Sequence, residues 1–273
     1  MRIVNLVENT EGETHLKAEH GLSFYIETQR HKLLMDTGAS DLLLRNAAEK
    51  GIDLTAVDTV ILSHGHYDHG GGILPFAALN RSAGIYMQRS AFGEYYSQPK
   101  EKLHYIGLDP GIRDLPQVIP VDGELQIDEE LTLFAGIGSG FPVPEANRIL
   151  KEQTEDGLVQ DDFRHEQCLL LSQDNKKFLF SGCAHHGILN VMARCRELYH
   201  TDPDAVISGF HMMKKGDYTE GELQTIADTA RQLMTYRNTR FFTGHCTGEQ
   251  AFDIMKGIMK DQLIYVHCGD EIA

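Results

Sequence analysis

The stretch Ser63-His64-Gly65-His66-Tyr67-Asp68-His69-Gly70-Gly71-Gly72 carries three imidazoles and a carboxylate within six residues, then runs into three glycines. It follows Asp58–Leu62, a short apolar run that predicts a strand buried on both faces. Side chains at i, i+2, i+4 and i+5 do not share one helix face, but a loop at a strand end can aim them at one point. Neutral imidazoles with a carboxylate suit Zn, Mn or Fe rather than Ca or Mg. The glycines at 70–72 are expected to let the backbone pass close to a metal-bound substrate.

Upstream, Arg2–Val7, Leu22–Thr28 and Lys32–Met35 read as strands, the last broken by Asp36-Thr37-Gly38. Ser40 looks like a cap for a helix over Asp41–Lys50 that ends at Gly51. Downstream, a helix is expected from Ile73 to Leu79, and strands at Ile85–Gln88, Gln117–Pro120 and Leu131–Phe134. Gln167–Ser172 and Lys177–Ser181 read as a hairpin turning at Asp174-Asn175. Regular alternation then follows: helix Ile188–Tyr199, strand Ala205–Ser208, helix Thr219–Tyr236, strand Arg240–Thr243, helix Glu249–Met259 and strand Leu263–Val266. Thr247 with Gln250 fits a capping box for the last helix. This is an α/β (α+β) pattern. With no internal repeat, low-complexity tract or linker, residues 1–273 read as one domain. Its irregular excursions lie near 90–116 and 136–165 and hold Tyr95, Tyr96, Tyr105 and Phe141.

Composition bounds the function. The chain has 273 residues, 41% hydrophobic and 24% charged, which excludes disorder, collagen and coiled coil as descriptions of the whole. The formal net charge of −15 argues against nucleic acid or an anionic membrane as partner and leaves a small-molecule substrate. No apolar run approaches the ~18 residues of a membrane helix, and Met1–Glu8 turns polar too soon for a signal-peptide core. Five cysteines without a CxxC read as reduced thiols of a cytoplasmic protein. Histidine is abundant, with 14 copies, and tryptophan is absent.

His64-x-His66-x-Asp68-His69 resembles the signature of the metallo-β-lactamase superfamily. Leu33–Gly38, Phe178–Gly182 and Phe242–His245 stand where that family has its supporting strand ends. Ser181–Asn190, Ser208–His211 and Gly244–Gly248 resemble the branch of dihydropterin-ribofuranosyl-aminobenzene-phosphate synthase-like metal-dependent hydrolases. The resemblance implies a four-layer αββα sandwich, two mixed sheets flanked by helices, with one or two divalent metals at its edge. Zn is the expected ion, with Mn or Fe as alternatives. Carried over residue by residue, one metal takes His64, His66 and His185, and the other takes Asp68, His69 and His245.

The implied activity is hydrolysis of an ester, lactone or phosphoester of a small, anionic or pterin-like substrate by a metal-bound hydroxide. The alternative is a ligand-binding protein that kept the fold and metal site without hydrolysis. Asp68 and His211 are the candidate catalytic residues, the latter for a proton or a substrate phosphate. Asp36 is expected to hold a ligand histidine in one tautomer.

One departure from the family pattern stands out: Cys183 occupies the place where most members bridge the metals with Asp. It is expected to be a packed core residue, with His185 rather than His186 as the ligand from this strand end. His165 is a second candidate ligand, against a plain surface role. The tyrosines of 90–116 are expected over the metal edge, stacking on a flat substrate. Leu34–Ser40 also matches the Asp-Thr-Gly turn of aspartic proteases. That chemistry needs two carboxylates sharing a proton, and this chain has a single copy in a long body beside an unrelated His cluster.

Overall fold

A computed structural model describes residues 1–12 and 15–272. The strands, in chain order, are β1 (Arg2–Val7), β2 (Ser23–Glu27), β3 (Lys32–Met35), β4 (Thr59–Ile61), β5 (Gly84–Gln88), β6 (Glu94–Ser97), β7 (His104–Tyr105), β8 (Val118–Val121) and β9 (Leu125–Gln126). They continue with β10 (Leu131–Phe134), β11 (Leu150–Thr154), β12 (Gly157–Gln160), β13 (Cys168–Gln173), β14 (Lys176–Ser181), β15 (Ala205–Ser208), β16 (Arg240–Thr243) and β17 (Leu263–Tyr265). The helices are α1 (Leu42–Glu49), α2 (Tyr67–Gly70), α3 (Ile73–Leu79), α4 (Ile188–Tyr199), α5 (Glu220–Leu233) and α6 (Glu249–Met259).

Among the described residues one sheet runs β1-β2-β3-β4-β5-β8 and a second runs β17-β16-β15-β14-β13-β10-β9. Both are mixed. β1, β2 and β3 pair antiparallel, then β3, β4, β5 and β8 pair parallel. In the second sheet β9, β10, β13 and β14 are antiparallel, and β14 to β17 parallel.

The alternation along each strand sorts its side chains into three apolar layers. Ile3, Phe24, Ile26, Leu33, Met35 and Ile61 meet Leu133, Leu169, Leu171, Phe180 and Phe242 between the sheets. Val4, Tyr25, Leu34 and Val60 face the other way, onto Leu43, Ala47 and Phe76 of α1 and α3. Leu170, Leu179, Val206 and Phe241 pack on Val191, Ile226, Ala230 and Met255 of α4, α5 and α6. This is the αββα order. It leaves the C-terminal ends of the parallel strands β3, β4, β14, β15 and β16 at one edge, and the candidate residues leave the sheets there.

Two expectations are corrected. The segments near 90–116 and 136–165 are not simply irregular: β6 pairs with β11, and with β7 and β12 they form a four-stranded sheet of their own. The capping box at Thr247 is absent, because Gly248 caps α6. The Thr247 hydroxyl is instead taken by the Phe210 N–H at 2.9 Å and by Thr243 Oγ1 at 2.6 Å. A capping box does open α5, between Thr219 and Glu222.

Candidate metal centre

The His64 loop is shaped by Asp36, which sits at φ +60° just past β3. Asp36 Oδ1 accepts the Ser63 N–H at 2.7 Å and Oδ2 accepts the Ser63 hydroxyl at 2.7 Å, so β4 is followed by a tight, buried turn. His66 then caps the single turn of α2, which carries Asp68 and His69. Two of the three glycines have a packing role: a Cβ on Gly71 would lie 2.2 Å from Ala39 O and one on Gly72 2.2 Å from Thr37 O, so they let α2 seat against the turn after β3.

The rings of His64, His66 and His185 stand 4.6 to 5.0 Å apart by centroids. His64 and His185 Nε2 face each other at 3.3 Å, and His69 and His245 Nε2 at 3.2 Å. The far nitrogen of each of these four rings has a partner that fixes its tautomer. His64 Nδ1 meets Ser63 Oγ at 2.8 Å, whose own proton goes to Asp36. His69 Nδ1 meets Asp36 Oδ2 at 2.7 Å, which is the positioning role expected of Asp36. His185 Nδ1 meets Asn147 Oδ1 at 3.0 Å and His245 Nδ1 meets Asn9 Oδ1 at 2.8 Å. His66 Nε2 is buried without a hydrogen bond, 3.9 Å from Asp161 Oδ2.

Burial, then neighbouring imidazoles, push the pKa values of His64 and His185 well below their usual range. Both rings are therefore neutral with Nδ1 protonated, and their two Nε2 lone pairs point at each other. Such a contact is repulsive unless a cation lies between them, so the donor set fits a transition metal. At the second pair, burial opposes charge but Asp36 and Asp68 raise His69 to about 9, which marks the place as favouring a cation. Asp68 Oδ2 lies 3.4 Å from His245 Nε2 and 3.9 Å from His69 Nε2. Burial pushes its carboxyl up, yet His69, His20 and His245 outweigh this and hold it well below the usual carboxylate range.

His20 was not foreseen. Its Nε2 stands 3.3 Å from Asp68 Oδ2 and its ring 5.1 Å from that of His245. The only signal was a His-Gly pair just ahead of β2. That pairing matters because a Cβ on Gly21 would lie 2.8 Å from Asp68 O. Equally unforeseen are the buried acids that hold the ligand loops. Glu166 accepts from the His185 and His186 N–H groups and pairs with His186 Nδ1 at 2.6 Å. Glu8 accepts from the His245 N–H.

Three further expectations are corrected or sharpened. His165 is fully buried rather than on the surface, and its Nδ1 accepts the Gly65 N–H at 2.9 Å while Nε2 faces Asp161 at 3.2 Å. Both nitrogens are occupied, so His165 braces His66 and has no lone pair to offer. Of the tyrosines, Tyr95 reaches the site but is fully buried, its ring 6.0 Å from His66 and 4.1 Å from His165. Tyr96 and Tyr105 pack edge-on against each other, ring centroids 5.4 Å apart. Cys183 is buried as expected, but it lies outside the three apolar layers and places Sγ 3.2 Å from His69 Nε2.

His211, at φ +48°, lies with its ring 4.1 Å from His185, and its Nδ1 is buried without a partner. Phe163 covers the other side of His185, ring centroids 4.4 Å apart and planes 2° from parallel. His211 also lines a cavity of about 1090 Å³ walled by Pro142, Pro144, Met212, Met213 and Tyr218. Lys214 and Lys215 stand on its rim side, as does the first turn of α4, whose N-cap Gly187 supplies no side chain.

Residues 16–220 match the family model described as the metallo-beta-lactamase superfamily. The chain is 25% identical to the 7,8-dihydropterin-6-methyl-4-(beta-D-ribofuranosyl)-aminobenzene-5'-phosphate synthase of Methanocaldococcus jannaschii, covering 98% of this chain and 95% of that one. It is 26% identical to an uncharacterised protein of the same organism, over 98% of each chain. Among solved structures it is similar to Tm1679, a metal-dependent hydrolase of the beta-lactamase superfamily, with TM-score 0.83, 26% identity and coverage of 100% and 98%. No described helix is long and apolar enough to cross a membrane.

Proposed function

Because the chain belongs to the metallo-beta-lactamase superfamily, we propose that it is a metal-dependent hydrolase acting on an ester, lactone or phosphoester of a small molecule. The observation that carries this reading is the pair of neutral imidazoles, His64 and His185, whose Nε2 atoms face each other at 3.3 Å. His64, His66 and His185 would hold one ion, and Asp68, His69 and His245 the other, with Zn preferred and Mn or Fe as alternatives. When bound, such an ion supplies Lewis acidity and lowers the pKa of water toward about 7.

The chain's own residues supply the rest. Asp68, ionised and 3.3 Å from His20 Nε2, is both a ligand and the acceptor that orients the attacking water. His211, between His185 and the cavity, hands a proton to the leaving group or binds a substrate oxygen. The cavity suits a flat or apolar body on Met212, Met213 and Tyr218, with an anionic group near Lys215 and the start of α4. The M. jannaschii relative's name contains a dihydropterin and a 5'-phosphate, which match those two halves. The net charge of −15 supports a small-molecule partner over nucleic acid or an anionic membrane, and five cysteines without a CxxC support a cytoplasmic setting.

A second reading rests on the word synthase in that relative's name: the same site would bind or transfer a pterin-like group without hydrolysis. Protein purified without added metal, assayed by elemental analysis and a screen of phosphate esters and lactones in ¹⁸O-water, separates the two. Hydrolysis places ¹⁸O in the product; transfer does not. A folded, metal-free His64→Ala/His66→Ala variant is expected to fall to the rate of the metal-stripped parent. Parent-level activity in that variant overturns the proposal.

A further inference from the structure

We infer that Cys183 is a metal ligand shared between the two ions, its single sulfur standing where other arrangements would use a carboxylate. This rests on the two-metal reading above. The sulfur lies within 4.8 Å of donor nitrogens in both halves of the cage: with His64 and His185 on one side, and with His69 and His245 on the other. Its nearest hydrogen-bonding contact is an imidazole nitrogen, His69 Nε2 at 3.2 Å. Three other cysteines differ. Cys168 and Cys195 sit in the helix-side apolar layer, and the Cys268 sulfur is held by the Leu6 and Lys17 carbonyls at 3.2 Å each. Cys246 lies beside the site: its sulfur is 3.7 Å from the Cys183 carbonyl and within 4.8 Å of the Cys183 sulfur and a His211 nitrogen, but it joins neither group of facing imidazoles.

The backbone is built to put Cys183 there. A Cβ on Gly182 would lie 2.1 Å from Ser63 Oγ, so the end of β14 is pressed flush against the His64 turn. Gly209 N–H holds Gly182 O at 2.8 Å from the other side, and Ala184 turns the chain at φ +52°. These restraints hold the backbone on both sides of residue 183, whose sulfur reaches the facing imidazoles. A carboxylate bridges with two oxygens, whereas a thiolate bridges with one atom, which needs the two donor groups to converge on a single point as they do here. Binding the ions displaces the thiol proton to solvent. A soft sulfur ligand then favours Zn or Fe(II) over Mn.

The test is zinc X-ray absorption on the full-length protein carrying Cys246→Ser, which removes the neighbouring thiol. The expected result is two zincs per chain with one sulfur neighbour on each at ~2.3 Å. Cobalt-loaded parent should show a thiolate-to-cobalt band that Cys183→Ser abolishes. Cys183→Ser should also weaken both ions, by roughly 10- to 100-fold or more, at least the scale of losing a ligand's partner. Two zincs with no sulfur, or sulfur on only half of them, overturns the shared ligand while leaving the metal centre intact. No bound metal in the parent overturns both. Should Cys183→Ser fail to fold, the absorption measurement decides alone, because it leaves Cys183 in place.

Discussion

Histidines at opposite ends of the parallel strands do opposite things. Past the C-terminal ends of β4 and β14, His64 and His185 turn bare Nε2 atoms on each other, each ring held neutral by burial and fixed through Nδ1. Before the N-terminal ends of β3 and β4, His31 has its two nitrogens 2.8 Å from Asp58 and 2.8 Å from Asp128, and so ties the first sheet to the second. Burial opposes its charge, but the hydrogen bonds to Asp128 and Asp58 win and raise its pKa. The same side chain is a lone-pair donor at one end and a doubly donating cation at the other. What decides is the number of carboxylates within reach, not the imidazole.

The sharpest way to break this contrast is Asp36→Asn. It removes the carboxylate oxygen that accepts from both His69 and Ser63, while the amide can still accept the Ser63 N–H. Zinc affinity measured by chelator competition is expected to fall roughly 10- to 100-fold. Unchanged affinity would mean that the tautomers are not set by their outer partners.

His31→Ala should do the reverse, leaving metal stoichiometry at the parent level and costing about 1–2 kcal/mol in denaturant unfolding, since Asp58 is half exposed and screened. A raised pKa gives stability that is complete below the ordinary value of 6.5 and lost as pH rises through the folded one. The gap between parent and variant should therefore shrink as pH rises above 6.5 and through the raised folded value. A gap that widens would refute the cationic assignment.

The smallest effect is expected for His186→Gln. His186 is bound to Glu166, which keeps the backbone N–H groups of His185 and His186, so metal content should not move and stability should fall by less than about 1 kcal/mol. Loss of an ion there would shift the ligand from His185 to His186.

The legibility of the molecule follows the same division between local and distant information. β1, β3, β10, β15, β16, α4 and α6 have the limits expected from sequence, because the strands are short apolar runs bounded by polar or turn residues and the helices bury one regular stripe. The small sheet of β6, β7, β11 and β12 escaped notice. Its strands are two to five residues long, and β11 and β12 carry few buried side chains, so no alternation marks them. In the site, four candidate ligands were visible because they lie together after β4. Asn9, Asn147, Asp161 and Glu166 were not, since a polar residue in a loop carries no mark of the imidazole it will meet. Cys183 reads from sequence as apolar filling, the usual state of a buried cysteine, because only neighbours such as His69 Nε2 at 3.2 Å distinguish a ligand from a space-filler.

The parallel stack of Phe163 on His185 gives the protein a built-in spectroscopic reporter. Protons of the imidazole lie over the face of the phenyl ring and fall within its shielding cone. In a histidine-selective NMR spectrum, the His185 carbon-bound protons should therefore resonate upfield of those of the other imidazoles. Any rotation of this ring during turnover would be read directly as a change in chemical shift, with no label beyond the isotope.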